Sequence, residues 1–165
     1  FKTGMIYPVG SILRPLKSDL TNVKAENVLD VRTAHYHHSS ADVDYYIPIS
    51  GASLAESNSL STSHYQLMFT VPYNGFVKSI VNYNSNTASK QSQLTFHKAG
   101  SSTNIGDTIT TGTYTTEFAV DCPSNWTFTK GDVISIGRLD TSQVHGTSMS
   151  IVLQYNTQPT AQPQP

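Results

Sequence analysis

The sequence predicts an all-β fold, an antiparallel jelly-roll-like β-sandwich of eight or nine strands with an extended N-terminal arm. Three observations point there. The first is a pair of strand–turn–strand passages, Leu67 to Val81 and Phe128 to Ile136. In one, Pro72 withholds a ladder donor and Asn74-Gly75 tolerates positive φ; in the other, Lys130-Gly131-Asp132 makes a tight turn before a β-branched run. The second is period-two alternation at Val43/Tyr45/Ile47/Ile49, Leu67/Phe69/Val71, Tyr114/Thr116/Phe118/Val120 and Met149/Ile151/Leu153/Tyr155. The third is regular punctuation, with turn signals at Ser50-Gly51, Asn74-Gly75, Ala99-Gly100, Gly106-Asp107, Gly131-Asp132 and His145-Gly146.

In chain order, residues 1–32 read as an arm. Gly4, Pro8, Gly10 and Arg14-Pro15 break any long helix, leaving a short helix between Ser18 and Val28, capped by Ser18 or Asp19. The arm carries Ile6, Tyr7, Ile12, Leu13 and Leu16, too many apolar groups for a freely solvated tail. It either wraps its own sandwich or docks on a neighbouring subunit, and those five residues are the anchors of the docking reading. Extended, some ~30 residues reach up to roughly 100 Å. Residues 33–156 form the sandwich. Strands are predicted at 32–38, 43–49, 64–71, 76–83, 92–98, 113–120, 132–139 and 147–155, with a shorter one near 105–110. Residues 157–165 are a Pro/Gln-rich tail of polyproline type that builds no core.

Composition narrows the function classes. The 165 residues suffice for one domain with its own core, and only 13% are charged, about half the usual share. Ser, Thr, Asn, Gln and Tyr supply the polar surface, which suits a particle-borne or extracellular β protein. A net charge of −1 gives no long-range pull on nucleic acid. No run approaches the ~20 apolar residues of a membrane span. No signal peptide is visible, and a chain opening at Phe1 is compatible with a removed leader. The lone Cys122 excludes an intrachain disulfide and reads as a plain thiol.

Several passages together resemble virion proteins of tailed bacteriophages. They are Tyr45-Tyr46-Ile47-Pro48-Ile49, the stretch from Phe69 through Pro72, Asn74 and Gly75 to Val77, and Gln93-Leu94-Thr95-Phe96-His97-Lys98. The closing pair, Phe128 to Ile136 and Ser148 to Tyr155, fits the last two strands of such proteins. The match spans roughly residues 43–155 and consists of turn chemistry and strand patterning. It implies a compact sandwich, often trimeric, similar in outline to tumour-necrosis-factor-like heads. Such modules decorate or cement capsids, with themselves and the major capsid protein as partners. Others sit at fibre or spike tips and bind a bacterial surface glycan or protein. The resemblance thus implies a place on the particle surface. Shortness and two arm-like ends favour decoration, with the fibre head as alternative.

Candidate sites are few. His35 and His37 share a strand face, and around a three-fold axis they would supply six imidazoles, a pattern similar in spacing to metal sites of trimeric phage fibres. The plainer reading, an exposed or interface histidine pair, is preferred, and no cofactor is expected. Tyr73, Asn74, Tyr83 and Trp126 lie at predicted turns, where aromatics beside Asn could stack on sugar or line an interface. Asp107, Asp132 and Asp140 read as turn caps, and Asp42/Asp44 as a solvated strand face rather than a calcium site. No nucleophile elbow, phosphate loop or paired carboxylate spacing is present, so an enzyme is not expected.

Overall fold

The computed structural model describes residues 28–38, 45–49, 67–85, 87–99, 101–142 and 144–156. The arm anchors, the 18–28 helix short of Val28, Asp42/Asp44 and the 157–165 tail lie outside them. Among the described residues, ten antiparallel strands form two sheets. Sheet A has the order β1 (Val28–His38), β10 (Val144–Tyr155), β4 (Gly75–Asn84), β7 (Glu117–Asp121), with β8 (Thr127–Phe128) also pairing β4. Sheet B has the order β2 (Tyr45–Tyr46), β9 (Val133–Asp140), β5 (Ser92–Lys98), β6 (Ile109–Thr110), with β3 (Phe69–Thr70) also on β9.

The pairing is nested. β1 takes β10, β2 and β3 take β9, β4 takes β8 and β7, and β5 takes β6. This is one long hairpin whose tip is the β5–β6 loop, wound so that β10 also meets β4 and β9 also meets β5. That winding is a jelly roll. Register supports it: Val28↔Tyr155 and Tyr45↔Arg138 are separated by seventeen residues on each arm of the hairpin. Phe69↔Ile134, Gly75↔Phe128 and Gln93↔Thr110 share a second common register. Between the two registers one arm advances twenty-four residues, Tyr45 to Phe69, and the other only four, Arg138 to Ile134. β2 and β3 are therefore two halves of one roll strand, parted by an insertion of twenty residues. The predicted strands 43–49 and 64–71 contribute only short ladders for that reason.

The core lies between the sheets. Ala34 and Tyr36 of β1, Val77 and Ile80 of β4, Leu94 and Phe96 of β5, Ile134 and Ile136 of β9, and Met149, Ile151 and Leu153 of β10 are its buried inner positions. Strand β1 starts at Val28, four residues before the predicted 32. Its polar inner positions are accommodated at the rim: Arg32 stacks 3.8 Å over the Phe69 ring and pairs with Asp30, which also accepts the Tyr155 hydroxyl at 3.1 Å. The predicted strand 113–120 is shorter than expected, because Tyr114 makes only an isolated bridge to Lys90 and the ladder begins at Glu117.

Gly75 does not take the positive φ expected of an Asn-Gly turn: it opens β4, and close packing is what requires glycine there. A Cβ there would lie 2.1 Å from the Gln154 carbonyl oxygen and 2.8 Å from the Phe128 ring. The backbone of β10 has no room to retreat between its two partners. Gly75→Ala is expected to cost about 3 kcal/mol, read as a lower urea midpoint at unchanged slope; an unaltered midpoint would contradict this packing.

Candidate interaction surface

Two regions concentrate functional groups: a closed polar cluster inside the roll and the open face of sheet A. The cluster follows from β9, whose inner face runs Ile134, Ile136, Arg138, Asp140. Arg138 and Asp140 are fully buried and bridged at 2.8 Å. Arg138 Nη1 donates to the Tyr36 hydroxyl and to Asn82 Oδ1, each at 2.8 Å, and Nη2 donates to the Tyr114 hydroxyl at 2.9 Å. The Ser92 hydroxyl donates to Asp140, and Tyr114 approaches the same oxygen at 3.3 Å. Lys90, 2% exposed, donates to the Thr115 carbonyl at 2.5 Å.

Electrostatics explain why these charges tolerate burial. Burial opposes the Arg138 charge, but the oxygens of Tyr36 and Asp140 outweigh it and hold the guanidinium firmly protonated. Burial pulls the Lys90 ammonium below the usual lysine range, with Asp140 acting the other way. Burial likewise raises the Tyr114 phenol. The Nδ2 group of Asn82 is buried without an acceptor, the energetic weak point of the cluster. These groups hold one another in place across the two sheets. Asp140, expected to cap a turn, is instead the buried counter-ion of Arg138. The cap reading does hold for Asp132, which accepts the Thr129 amide at 2.9 Å and pairs with Lys98; the amide and Lys98 hold its carboxyl below the usual range.

The predicted contact residues are dispersed. Tyr73 stands on the β3–β4 turn, 52% exposed, edge-on to Tyr155. Asn74 is tied down, its side chain accepting the Lys130 amide and its carbonyl the Asn156 amide. Tyr83 is no loop residue: it lies within β4, paired with Ser148, and is 54% exposed on the outer face of sheet A. Since Gly75 and Tyr83 are eight residues apart on one strand, Tyr73 and Tyr83 are roughly 25 Å from each other. Trp126 is corrected outright. It is fully buried, stacks on Phe96 at 5.6 Å and donates its Nε1 to the Asp107 carbonyl at 2.7 Å. Its place beside a turn suggested exposure, but the indole plugs the open end of the core instead.

His35 is exposed on the outer face of β1; the side chain of its partner His37 lies outside the described residues. Among the described residues, no group of three His, Cys, Asp or Glu side chains gathers for a metal. Burial lifts the half-buried Cys122 thiol to about 12, which keeps it protonated and unreactive.

The open face of sheet A escaped the sequence reading. Val31, Thr33 and His35 of β1, Ser148, Ser150 and Val152 of β10, Ser79, Val81 and Tyr83 of β4, and Ala119 of β7 lie on it. Val31, Val81 and Tyr83 are 57%, 49% and 54% exposed. Its charges stand at the rim: Lys78, extruded at the β4 bulge opposite Val152, and Glu117 and Asp121 on the edge strand. The signal in the sequence was Ser148-Met149-Ser150-Ile151-Val152-Leu153, where the outward partners of apolar core residues are serine and valine rather than charged groups.

No family model and no curated protein matches this chain. Among solved structures, the cryo-EM structure of Broad Bean Stain Virus is similar over 86% of this chain and 95% of that chain, with 10% identity and a TM-score of 0.37. A superposition that loose adds nothing to the assignment of fold or function.

Proposed function

We propose that this chain is a structural protein of a virion, a capsid decoration or cement protein at the particle surface that acts through contact area. Its partners in this reading are further copies of itself and other virion proteins such as the major capsid protein. The observation that carries it is the open face of sheet A: a broad, charge-poor layer of Val, Ser, Thr and Tyr on a jelly roll braced internally by the buried Arg138–Asp140 ion pair. Exposed apolar patches of this kind mark association sites. The sequence resemblance to tailed-phage virion proteins adds the class of assembly, although a shared fold alone does not decide a role. Covalent chemistry has no part in this reading: among the described residues, the cluster combining acid, base and hydroxyl groups is largely buried and spent on mutual hydrogen bonds.

The alternative is a fibre or spike head that binds a host surface glycan, favoured by the exposed Tyr73 ring at one end of the roll. A truncation separates the two. Because residues 28–32 pair with β10, the cut belongs after residue 27. If the arm anchors a decoration protein, the shortened chain folds but no longer attaches to particles stripped of the native protein. Retained binding to host cells by the shortened chain, with full-length protein blocking infection, would establish the fibre head instead.

A further inference from the structure

We propose that the outer face of sheet A is a self-contact, through which two copies of this chain stack about a two-fold axis running along the strands between β10 and β4. The inference rests on the chain being an assembly subunit and goes further by naming the surface, the occupant and the symmetry. Cross-strand register places the outward residues in rows. One row is His35, Ser148, Tyr83, Glu117; the next is Thr33, Ser150, Val81, Ala119; the third is Val31, Val152, Ser79, Asp121.

An axis along the strands lays each row on itself in reversed order. Tyr83 then meets Ser148 of the second copy, Val81 meets Ser150, Val152 meets Ser79, Thr33 meets Ala119 and, at the rim, Val31 meets Asp121. In three of these pairings a large side chain lands on a serine, the interdigitation that two stacked sheets require. At the rim, His35 meets Glu117 of the second copy, twice per dimer. An axis across the strands also sets Tyr83 on Ser79 and Val152 on Ser148, but it brings Glu117 over Asp121 of the second copy, like charge against like. The edge-strand charges therefore select the first orientation.

Size sets the strength. Four strands about 4.8 Å apart and some six residues long offer roughly 400 Å² per copy, below the area of a stable interface. The contact is therefore weak in free solution and gains strength where copies are held close together in an assembly.

Sedimentation velocity of the full chain, from low micromolar to near-millimolar concentration, tests this. The expected result is a monomer shifting to a dimer. Val81→Lys, a change at an exposed position, should weaken that association at least tenfold while leaving the thermal midpoint unchanged. His35→Glu should weaken it too, and adding Glu117→His should restore it. Within one chain these two residues stand three strand spacings apart, about 14 Å, so rescue requires contact between copies. A chain that stays monomeric throughout, a trimer, or association indifferent to Val81→Lys would overturn the proposal. So would association lost on removing residues 1–27, which would assign it to the arm. Loss of particle attachment in Val81→Lys with a monomer at every concentration would give the face to another virion protein. Absence of the chain from purified particles would refute the virion role yet leave the sedimentation result standing.

Discussion

Replacing Arg138 with methionine is expected to lower stability by about 4 kcal/mol, because it strands the fully buried Asp140 carboxylate without its counter-ion. For a chain of this size that corresponds to a fall in Tm of about 12 °C. Tyr36, Asn82 and Tyr114 each lose a guanidinium donor as well, so the two sheets come apart more readily at this end of the roll. The deficit should narrow as the pH is lowered, since protonating the stranded carboxylate removes the buried charge. Adding Asp140→Asn should recover part of the loss: the amide oxygen still accepts from Ser92 and Tyr114, and no stranded carboxylate remains, while the buried Lys90 ammonium, which Asp140 favours, limits the recovery. Urea unfolding of both single variants and the double variant checks the coupling. A double variant as damaged as the sum of the two singles would mean that Arg138 and Asp140 act independently.

Trp126→Ala should be nearly as severe, about 4 kcal/mol. The indole is fully buried, packs against Phe96 and fixes the 101–108 loop through its bond to the Asp107 carbonyl. Trp126→Phe keeps most of the packing and loses that hydrogen bond, so it should cost about 1–2 kcal/mol. As the sole tryptophan, Trp126 also reports on itself. Native emission should be blue-shifted and resistant to acrylamide quenching, and both properties should vanish at the unfolding midpoint. Ready quenching in the native state would place the ring at the surface, as its turn-side position in the sequence suggests.

Much of the fold is legible in local chemistry. Gly131-Asp132 marks a true turn, with Gly131 at φ 90°, and the alternation at Leu67/Val71 and Met149/Ile151/Leu153/Tyr155 identifies core faces. Asn74-Gly75 marks only the bend where the chain passes from sheet B to sheet A; neither residue takes positive φ, and Gly75 already belongs to β4. What is not legible depends on distant partners. Val28, Leu29 and Val31 are exposed while Asp30 and Arg32 point toward the rim, so β1 lacks a clean alternation until Phe69 and Tyr155 are known to receive its polar groups. The two-residue strand β8 is too short to carry a pattern, and only its pairing with Gly75 and Phe76 defines it. The buried ion pair was partly visible: Ile134, Ile136, Arg138 and Asp140 share one face, and continuing that face inward places both charges in the core. The open face of sheet A appears only when three ladders are aligned, because no single strand carries more than three or four of its residues.

The proposed virion role is tested most directly by the copy number of this chain in purified particles of a virus whose genome carries it. Quantitative mass spectrometry against a labelled full-length standard should find hundreds of copies per particle, in fixed ratio to the major capsid protein. A handful of copies would move the chain to a fibre tip. Its absence from intact particles would contradict a structural role in the virion altogether.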